Sequence, residues 1–110
     1  MELIIFPNQL FKKKYIPKKI KKIYLIEEPA YFGFREKKYN FNKLKLLLHR
    51  SSMKYYYDYL SKYYNVEYIN FKDVNYTKFV KKDIVMFQYY DYFIDKKLKK
   101  INIKFLDTPN

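Results

Sequence analysis

The apolar residues of the chain are concentrated in five short runs, each closed by turn-forming or polar residues. These runs occupy residues 2–6, 22–27, 66–71, 84–88 and 103–106. The first run, ELIIF, is continuously apolar rather than alternating, which is typical of a strand buried on both faces of a parallel sheet. We therefore predict five strands that share one core.

Segments with helical spacing lie between these runs. The longest extends from Lys43 to about Tyr64 and follows Asn42, a plausible N-cap. Residues 91–100 have the same spacing, and we predict a short helix at residues 74–82. The lysine-rich connector after the first run is expected to form no more than a short helix. Strands that alternate with helices predict an α/β fold, a three-layer, Rossmann-like, five-stranded parallel sheet in a single domain.

The first half of the long predicted helix is apolar on more than one side. Met53 and Leu60 belong to the face that we expect to pack on the sheet, whereas Leu44, Leu47 and Leu48 lie on the other side. A helix that is apolar nearly all round needs cover on both faces. A domain of this size covers one face easily, so the second face indicates a partner, a ligand or a further domain.

The charge of the chain first suggests a nucleic acid or an anionic membrane surface as its partner. The 110 residues carry a formal net charge of +13, but arginine occurs only at Arg35 and Arg50. Lysine, tyrosine, isoleucine, phenylalanine and asparagine dominate, and all five have A/T-rich codons. A surface selected to read phosphates tends to keep arginine for its bidentate geometry. We therefore interpret the charge mainly as the effect of an A+T-rich genome, with DNA contacts that are weak or indirect.

The residue types that are scarce exclude several kinds of chemistry. The chain has no cysteine, no tryptophan, one histidine and one glycine. Disulfides, thiolate metal sites, a tryptophan electron chain and a glycine-rich phosphate loop are therefore excluded, and no catalytic or metal-binding residue is predicted. No apolar stretch is long enough to cross a membrane. The first residues lack a basic region and a cleavage site, which favours an intracellular protein over a secreted one.

Candidate binding residues follow the predicted strands. In an open α/β sheet, ligands bind beyond the carboxyl ends of the strands, near the point where strand order reverses. This rule selects residues 7–10, 27–29 and 88–91, whose amides and carboxylates could hydrogen-bond a flat polar heterocycle or a sugar-like chain. The alternative is that they are turn residues, because Pro-Asn and Glu-Pro are ordinary breakers.

Other polar residues allow two interpretations each. His49 has no identifiable orienting partner, so a core or interface role is favoured over catalysis. Arg50 is expected to form a salt bridge on the helix surface with Asp58 or Glu67. The tyrosines at 55–57 and 63–64 either stack on bases or divide between the core and the surface.

The segment at residues 40–60, NFNKLKLLLHRSSMKYYYDYL, closely resembles the first long helix of the photolyase-related branch of the cryptochrome/photolyase family. That branch includes bacterial photolyases with an iron–sulfur cluster. Three further segments resemble the family in order and spacing. IIFPNQL and IYLIEEPAYF are similar to its first two strands with their exits, and IVMFQYYDYFIDKK is similar to its fourth strand and the helix that follows. The final KFLDTPN resembles the fifth strand.

The resemblance implies that residues 1–110 form the N-terminal α/β antenna domain of this family. In related proteins this domain can hold a ribityllumazine-type light-harvesting chromophore near the strand ends. The matching cofactor-binding positions are Asn8, Gln9, Leu10, Glu27, Glu28, Lys45 and His49. In the family, a following helical domain binds flavin, DNA and the cluster, and the resemblance leads us to expect that these 110 residues do not include it. FAD and an iron–sulfur cluster are therefore not expected in this chain, nor is catalysis by it alone.

Three functions stay open. The first is a truncated or split photolyase/cryptochrome-like protein, an antenna unit related to light-dependent DNA repair that works with a separately encoded helical flavin domain. The second is a basic nucleic-acid-binding module that uses lysines and tyrosines. The third is a functionless gene fragment, which shares its fold and ancestry with the first.

Overall fold

The five predicted strands form one parallel sheet. A computed structural model describes residues 1–32, 43–89 and 92–108. The strands are β1 (Glu2–Ile5), β2 (Lys22–Ile26), β3 (Asn65–Ile69), β4 (Ile84–Phe87) and β5 (Ile103–Leu106). They are hydrogen-bonded in the order β3-β2-β1-β4-β5, and every pair is parallel. The predicted α/β fold with a Rossmann-like parallel sheet is confirmed.

Within the described residues, two α-helices connect the strands. Helix α1 (Lys43–Ser61) joins β2 to β3, and helix α2 (Tyr92–Lys97) joins β4 to β5. Helix α1 ends earlier than predicted because the amides of Tyr63 and Tyr64 both donate to the carbonyl of Leu60, which closes the last turn. The connector after β1 forms only a short 3-10 helix, as expected. The predicted N-cap at residue 42 lies outside the described residues.

The short helix predicted at residues 74–82 is present in part and is of the 3-10 type. The chain there forms a 3-10 helix at Tyr76–Phe79, after another at residues 71–73. Before each one an asparagine side chain accepts a hydrogen bond from a backbone amide two residues later. Such local asparagine bonds compete with α-helical hydrogen bonding, so the chain forms short 3-10 helices here instead of an α-helix.

Both faces of the sheet are covered, which gives the predicted three layers. Alternate residues of β1 point to opposite faces, so Leu3 and Ile5 belong to one core and Ile4 to the other. The core under α1 consists of Leu3, Ile5, Ile16, Ile20, Ile23, Leu25, Met53, Tyr56, Leu60, Val85 and Phe87. The core under α2 consists of Ile4, Phe6, Tyr24, Ile26, Ile69, Phe79, Ile84, Met86, Ile94, Leu98 and Ile101.

The second apolar side of α1 is exposed. Leu44, Leu47 and Leu48 are 66%, 64% and 61% accessible, whereas Met53 and Leu60 on the core face are fully buried. Of the two apolar sides of α1 that the sequence predicts, one therefore packs on the sheet and the other is exposed to solvent. No α-helix in the described part of the chain is long and apolar enough to cross a membrane.

The strand order fixes where a ligand site can form. Strand β1 is central, with β2 on one side and β4 on the other. The order along the sheet therefore reverses at β1, and the crevice between the carboxyl ends of β1 and β4 is the topological switch point. Because Glu2 is in register with Ile84 of β4, the two strands end side by side.

Candidate ligand cleft at the carboxyl end of the sheet

Gln9 closes the floor of the switch point. Its side-chain amide nitrogen donates to the carbonyl oxygens of Phe87 and Gln88 at 3.1 and 3.3 Å. Its side-chain oxygen accepts a hydrogen bond from the backbone amide of Phe6 at 3.2 Å. The residue is only 2% exposed. One predicted binding residue thus links the ends of β1 and β4, and its polar atoms already have partners within the protein.

A cleft of about 330 Å³ lies above this floor. It is lined by Asn8, Gln9, Phe11, Tyr31, Gln88, Tyr89 and Thr108. The rings of Tyr31 and Tyr89 both pack against Phe6, with ring centroids 5.8 and 6.3 Å away. The Asn8 and Gln88 side chains are exposed at the same place. The cleft therefore combines aromatic surfaces with amide groups, the composition that suits a flat polar heterocycle.

Glu27, the residue after β2, is fully buried and bonded to groups from three segments. Arg50 of α1 binds its carboxylate with two parallel hydrogen bonds of 2.8 and 2.9 Å. The Tyr68 hydroxyl of β3 donates to one carboxylate oxygen, and the Phe71 amide donates to the other at 3.0 Å. The backbone amide of Glu27 donates to Ile69. This residue therefore joins β2, β3 and α1.

The surroundings of Glu27 stabilise its charged form. Burial alone would raise the pKa of the carboxyl group. The hydrogen bonds from Arg50, Tyr68 and the Phe71 amide outweigh burial, so the pKa of Glu27 lies below its ordinary value. For Tyr68 the effects of burial and of the neighbouring carboxylate add together and raise the pKa of the hydroxyl group. Glu27 is therefore a carboxylate at neutral pH, and Tyr68 stays protonated to bind it.

Glu28 forms a second buried cluster on the opposite face of the sheet. Its carboxylate accepts a hydrogen bond of 2.9 Å from Tyr76 and two from the Lys97 ammonium group at 2.9 and 3.0 Å. Burial, followed by the Glu28 charge, raises the pKa of Tyr76. Consecutive residues at a strand end point to opposite faces. Glu27 therefore contacts the α1 side of the sheet, and Glu28 contacts the α2 side.

The expected partners of Arg50 are corrected by this geometry. The sequence pattern predicted a salt bridge with Asp58 or Glu67, but Arg50 binds Glu27 instead, and Glu67 pairs with Lys22 and Lys78. Asp58 lies on the exposed side of α1 and cannot share a partner with the buried Glu27. The planar fork of an arginine matches the two carboxylate oxygens with fixed geometry, which gives a physical reason for arginine at this position in a lysine-rich chain.

The remaining predicted binding residues lie around this edge of the sheet. Leu10 is partly buried after β1, and its side chain packs against the core under α1. His49 is partly buried on α1, one residue before Arg50. Lys45 belongs to the first turn of α1, and its side chain lies outside the described residues. Their part in ligand binding stays a prediction, as does that of Asn8, Gln9, Glu27 and Glu28.

Two features of this edge were missed by sequence reasoning. Tyr68 and Tyr76, which bind the two glutamates, lie in segments predicted only as a strand and a helix. The pairing of Gln9 with the end of β4 spans the length of the chain, and no local signal reveals it. The one available signal for the Glu27 cluster was the occurrence of arginine at position 50. The described residues contain no group of three histidine or acidic side chains that could hold a metal ion.

The fold and the cleft define a class of protein: a doubly wound α/β domain with a small polar and aromatic crevice at its switch point. Residues 3–107 match the family of deoxyribodipyrimidine photo-lyase-related proteins. Since the match covers nearly all of the 110 residues, the chain belongs to that family.

One curated relative is an uncharacterized protein of Acanthamoeba polyphaga mimivirus. It is 44% identical over 71 residues, which cover 61% of this chain and 36% of the relative. The matched region thus spans about a third of the length of that protein. No solved structure matches the chain at a significant level.

Proposed function

We propose that this chain is the antenna unit of a photolyase-related protein and holds a light-absorbing heterocycle of the ribityllumazine class in the cleft at the switch point. The observation that carries the proposal is the position of the cleft, at the one place where the parallel sheet reverses its order. The role is the collection of light for DNA repair that is catalysed elsewhere. The chain itself performs no repair.

The residues of the cleft fit such a group in part. A volume of about 330 Å³ is at the lower end of the range for small-molecule sites. Tyr31 and Tyr89 offer ring surfaces, and Asn8 and Gln88 offer both donors and acceptors to the edge of a heterocycle. When bound, the group would absorb light and pass the excitation on. The residues of this chain would bind it, orient it and exclude water from one of its faces.

Glu27 and Glu28 have a different role in this proposal. Both carboxylates are fully buried and are bonded to Arg50, Tyr68, Tyr76 or Lys97. A ligand that bound either one directly would have to displace a charge-assisted hydrogen bond, which costs more than displacing water. We therefore assign the two glutamates to the support of the edge and leave direct contact with the ligand to the exposed amides.

A titration of the purified chain with a ribityllumazine, followed by its fluorescence polarisation, tests this proposal. We expect saturable binding at micromolar concentration. Asn8→Ala and Gln88→Ala should each weaken binding about two- to tenfold, because each removes a hydrogen bond. The control is Asn102→Ala, an exposed asparagine before β5, at the opposite edge of the sheet. Unchanged polarisation of the lumazine across the titration would overturn the proposal.

The catalytic partner is proposed to be a helical flavin domain that covers the exposed leucines of α1. Leu44, Leu47 and Leu48 are each more than 60% accessible on one helix. The longer mimivirus relative extends well beyond the region that it shares with this chain, so additional chain accompanies this fold there. An apolar patch of this kind is typical of a surface that another domain covers. The partner therefore supplies flavin and DNA binding, and this chain supplies the antenna.

Reconstitution tests the partnership. An FAD-loaded helical domain from a photolyase-related protein is mixed with the chain, and complex formation is followed by size-exclusion chromatography. Illuminated repair of DNA that contains pyrimidine dimers is measured in parallel. We expect a complex that Leu47→Ser abolishes and the exposed Lys54→Ser leaves intact. Repair by the chain alone, or dimerisation of the chain through the same leucines, would contradict this assignment.

A further inference from the structure

We propose that a second site, a tyrosine-lined groove beside α1, binds single-stranded nucleic acid. The groove has a volume of about 770 Å³ and lies between the segment after β1 and the exposed side of α1. Its walls include Leu10, Phe11 and Lys12 on one side and Ser51, Tyr55 and Tyr59 on the other. The switch-point cleft shares only Phe11 with this groove. The inference does not depend on the proposed antenna function.

The aromatic side of the groove presents rings to solvent. Tyr55 is 80% exposed and Tyr63 is 55% exposed, values that are unusual for such large side chains. Tyr55 and Tyr59 are four residues apart in α1 and lie on one side of the helix, and Tyr63 follows in the turn after Ser61. The Tyr59 and Tyr63 rings are 6.1 Å apart. Exposed aromatic rings in a row are the surfaces on which unpaired bases stack.

The rings next to the groove floor are held in place by hydrogen bonds to the opposite wall. The Tyr56 hydroxyl donates to the Phe11 carbonyl at 2.6 Å, and the Tyr59 hydroxyl accepts from the Lys13 amide at 3.2 Å. Burial raises the pKa of Tyr56, so its hydroxyl stays protonated and continues to donate. These bonds fix the width of the groove in the free protein. A preformed groove binds its ligand without an ordering cost.

The other wall continues into the most basic segment of the chain. Residues 12–22 contain seven lysines and no acidic residue. The Lys13 ammonium group lies 3.7 Å from the centre of the Tyr63 ring, so charge and aromatic surface occur together. The acidic residue on this helix is Asp58, with Lys54 and Lys62 beside it in sequence. An adjacent row of rings and of ammonium groups complements alternating bases and phosphates.

Stacking on exposed rings favours a single strand over a duplex, in which the bases already stack on each other. It also favours a nucleic acid over an anionic membrane, which would attract the lysines alone.

Binding of a fluorescein-labelled oligothymidylate, measured by anisotropy at several salt concentrations, tests the inference. We expect the logarithm of the affinity to fall linearly with the logarithm of salt concentration, and the matching duplex to bind at least tenfold more weakly.

Two pairs of variants separate stacking from charge. Tyr55→Ala should lower the affinity about 5- to 100-fold with little change in salt slope, and Tyr55→Trp should restore it. Replacing Lys12 and Lys14 by glutamine should reduce the salt slope by about 1.4, since each phosphate contact on a single strand contributes about 0.7. The same change at Lys99 and Lys100 removes equal charge far from the groove and should leave the slope unchanged.

Several results would overturn the inference. They are equal affinity for the single strand and the duplex, wild-type affinity in Tyr55→Ala, and an equal effect of the two lysine pairs. Vesicles that contain anionic lipid form a parallel arm, and vesicle binding that competes with the oligonucleotide and needs no tyrosine would assign the surface to a membrane. Because Tyr55 is exposed, its replacement does not endanger folding, and far-UV circular dichroism of each variant verifies this.

Discussion

Loss of the Arg50 side chain should destabilise the domain more than any other change at its surface. In Arg50→Met the buried Glu27 loses two of its side-chain hydrogen bonds and its cationic partner, and keeps only the Tyr68 hydroxyl and the Phe71 amide. Removal of one member of a buried ion pair costs about 3–5 kcal/mol. Since the Arg50 side chain is 33% exposed, water can enter the space that it leaves beside the Glu27 carboxylate. We therefore expect a loss of about 2–4 kcal/mol in the free energy of unfolding.

Urea denaturation followed by far-UV circular dichroism at neutral pH measures this loss. Arg50→Lys keeps the charge but not the parallel hydrogen bonds, so it should cost about 1–2 kcal/mol. The control Lys54→Met removes the same charge one turn further along α1. Lys54 is exposed, and its ammonium group lies 4.9 Å from the Tyr68 ring. Its replacement by methionine should lower the free energy of unfolding by about 0.5 kcal/mol or less.

A double variant tests the origin of the effect. Glu27→Leu combined with Arg50→Met removes both charges, so the penalty for an uncompensated buried carboxylate disappears. The double variant should then be more stable than Arg50→Met alone. The reasoning is refuted if Arg50→Met is as stable as Lys54→Met, or if the two single losses simply add.

The ion pair between Glu27 and Arg50 also predicts how the stability of the domain depends on pH. The folded-state pKa of Glu27 lies below its unfolded value of about 4.3, so its contribution is present above that value and is lost as pH falls through the folded pKa. In Arg50→Met, burial persists without the strongest opposing partner, so the folded pKa rises. The stability difference between wild type and Arg50→Met should therefore narrow on acidification below about pH 4.5. A constant difference across that range would contradict the assignment.

Three further changes test the rest of the structure by urea denaturation. Gln9→Leu leaves two strand-end carbonyls and one amide without the hydrogen bonds of the Gln9 side chain, so it should lower the free energy of unfolding by about 2–4 kcal/mol. The Phe6 amide should also exchange its hydrogen faster. Wild-type exchange at Phe6 would contradict the hydrogen bond to Gln9. Tyr76→Phe removes one of the bonds to Glu28 and should cost about 1–2 kcal/mol, and a stabilised variant would count against that bond. Met53→Ala opens a cavity under α1 and should cost about 2–5 kcal/mol, whereas a neutral effect would place Met53 outside the core.

The fold could be predicted because its signal is local. Strands β1, β2 and β4 lie in apolar runs that end at a polar or turn residue, and burial on both faces makes such a run continuous. The helix period on α1 placed Met53 and Leu60 correctly in the core and Leu47 correctly outside it. The short helix predicted at residues 74–82 is limited to a 3-10 helix at Tyr76–Phe79, because the local hydrogen bonds made by Asn75 favour a tight turn over an α-helix.

The position of the candidate residues at one edge of the sheet could be predicted from the sequence, but their hydrogen-bond partners could not. The strand-end rule selected Gln9, Glu27 and Glu28, and all three lie at the carboxyl edge of the sheet. Their hydrogen-bond partners are distant in sequence: Phe87 for Gln9, Arg50 for Glu27 and Lys97 for Glu28. A rule that ranks residues by their position on a strand contains no information on which element packs across from them. Pairing is decided by the crossovers, and these are known only once the strand order is known.

The positions of the charged residues in the fold add to what the high lysine content of the sequence indicates. We interpret the number of lysines as an effect of an A+T-rich genome, but the fold decides where the acidic residues are used. Four of the glutamates are bound in ion pairs by Arg50 or by lysines. Residues 12–22 contain no acidic residue of their own. Within this segment Lys12 lines the groove and Lys13 contacts Tyr63, so these two charges lie beside the tyrosines of α1 and can act on a phosphate chain within a Debye length. Mutational drift would account for the number of lysines, but it would not explain why the rings of Tyr55 and Tyr63 are exposed next to Lys12 and Lys13.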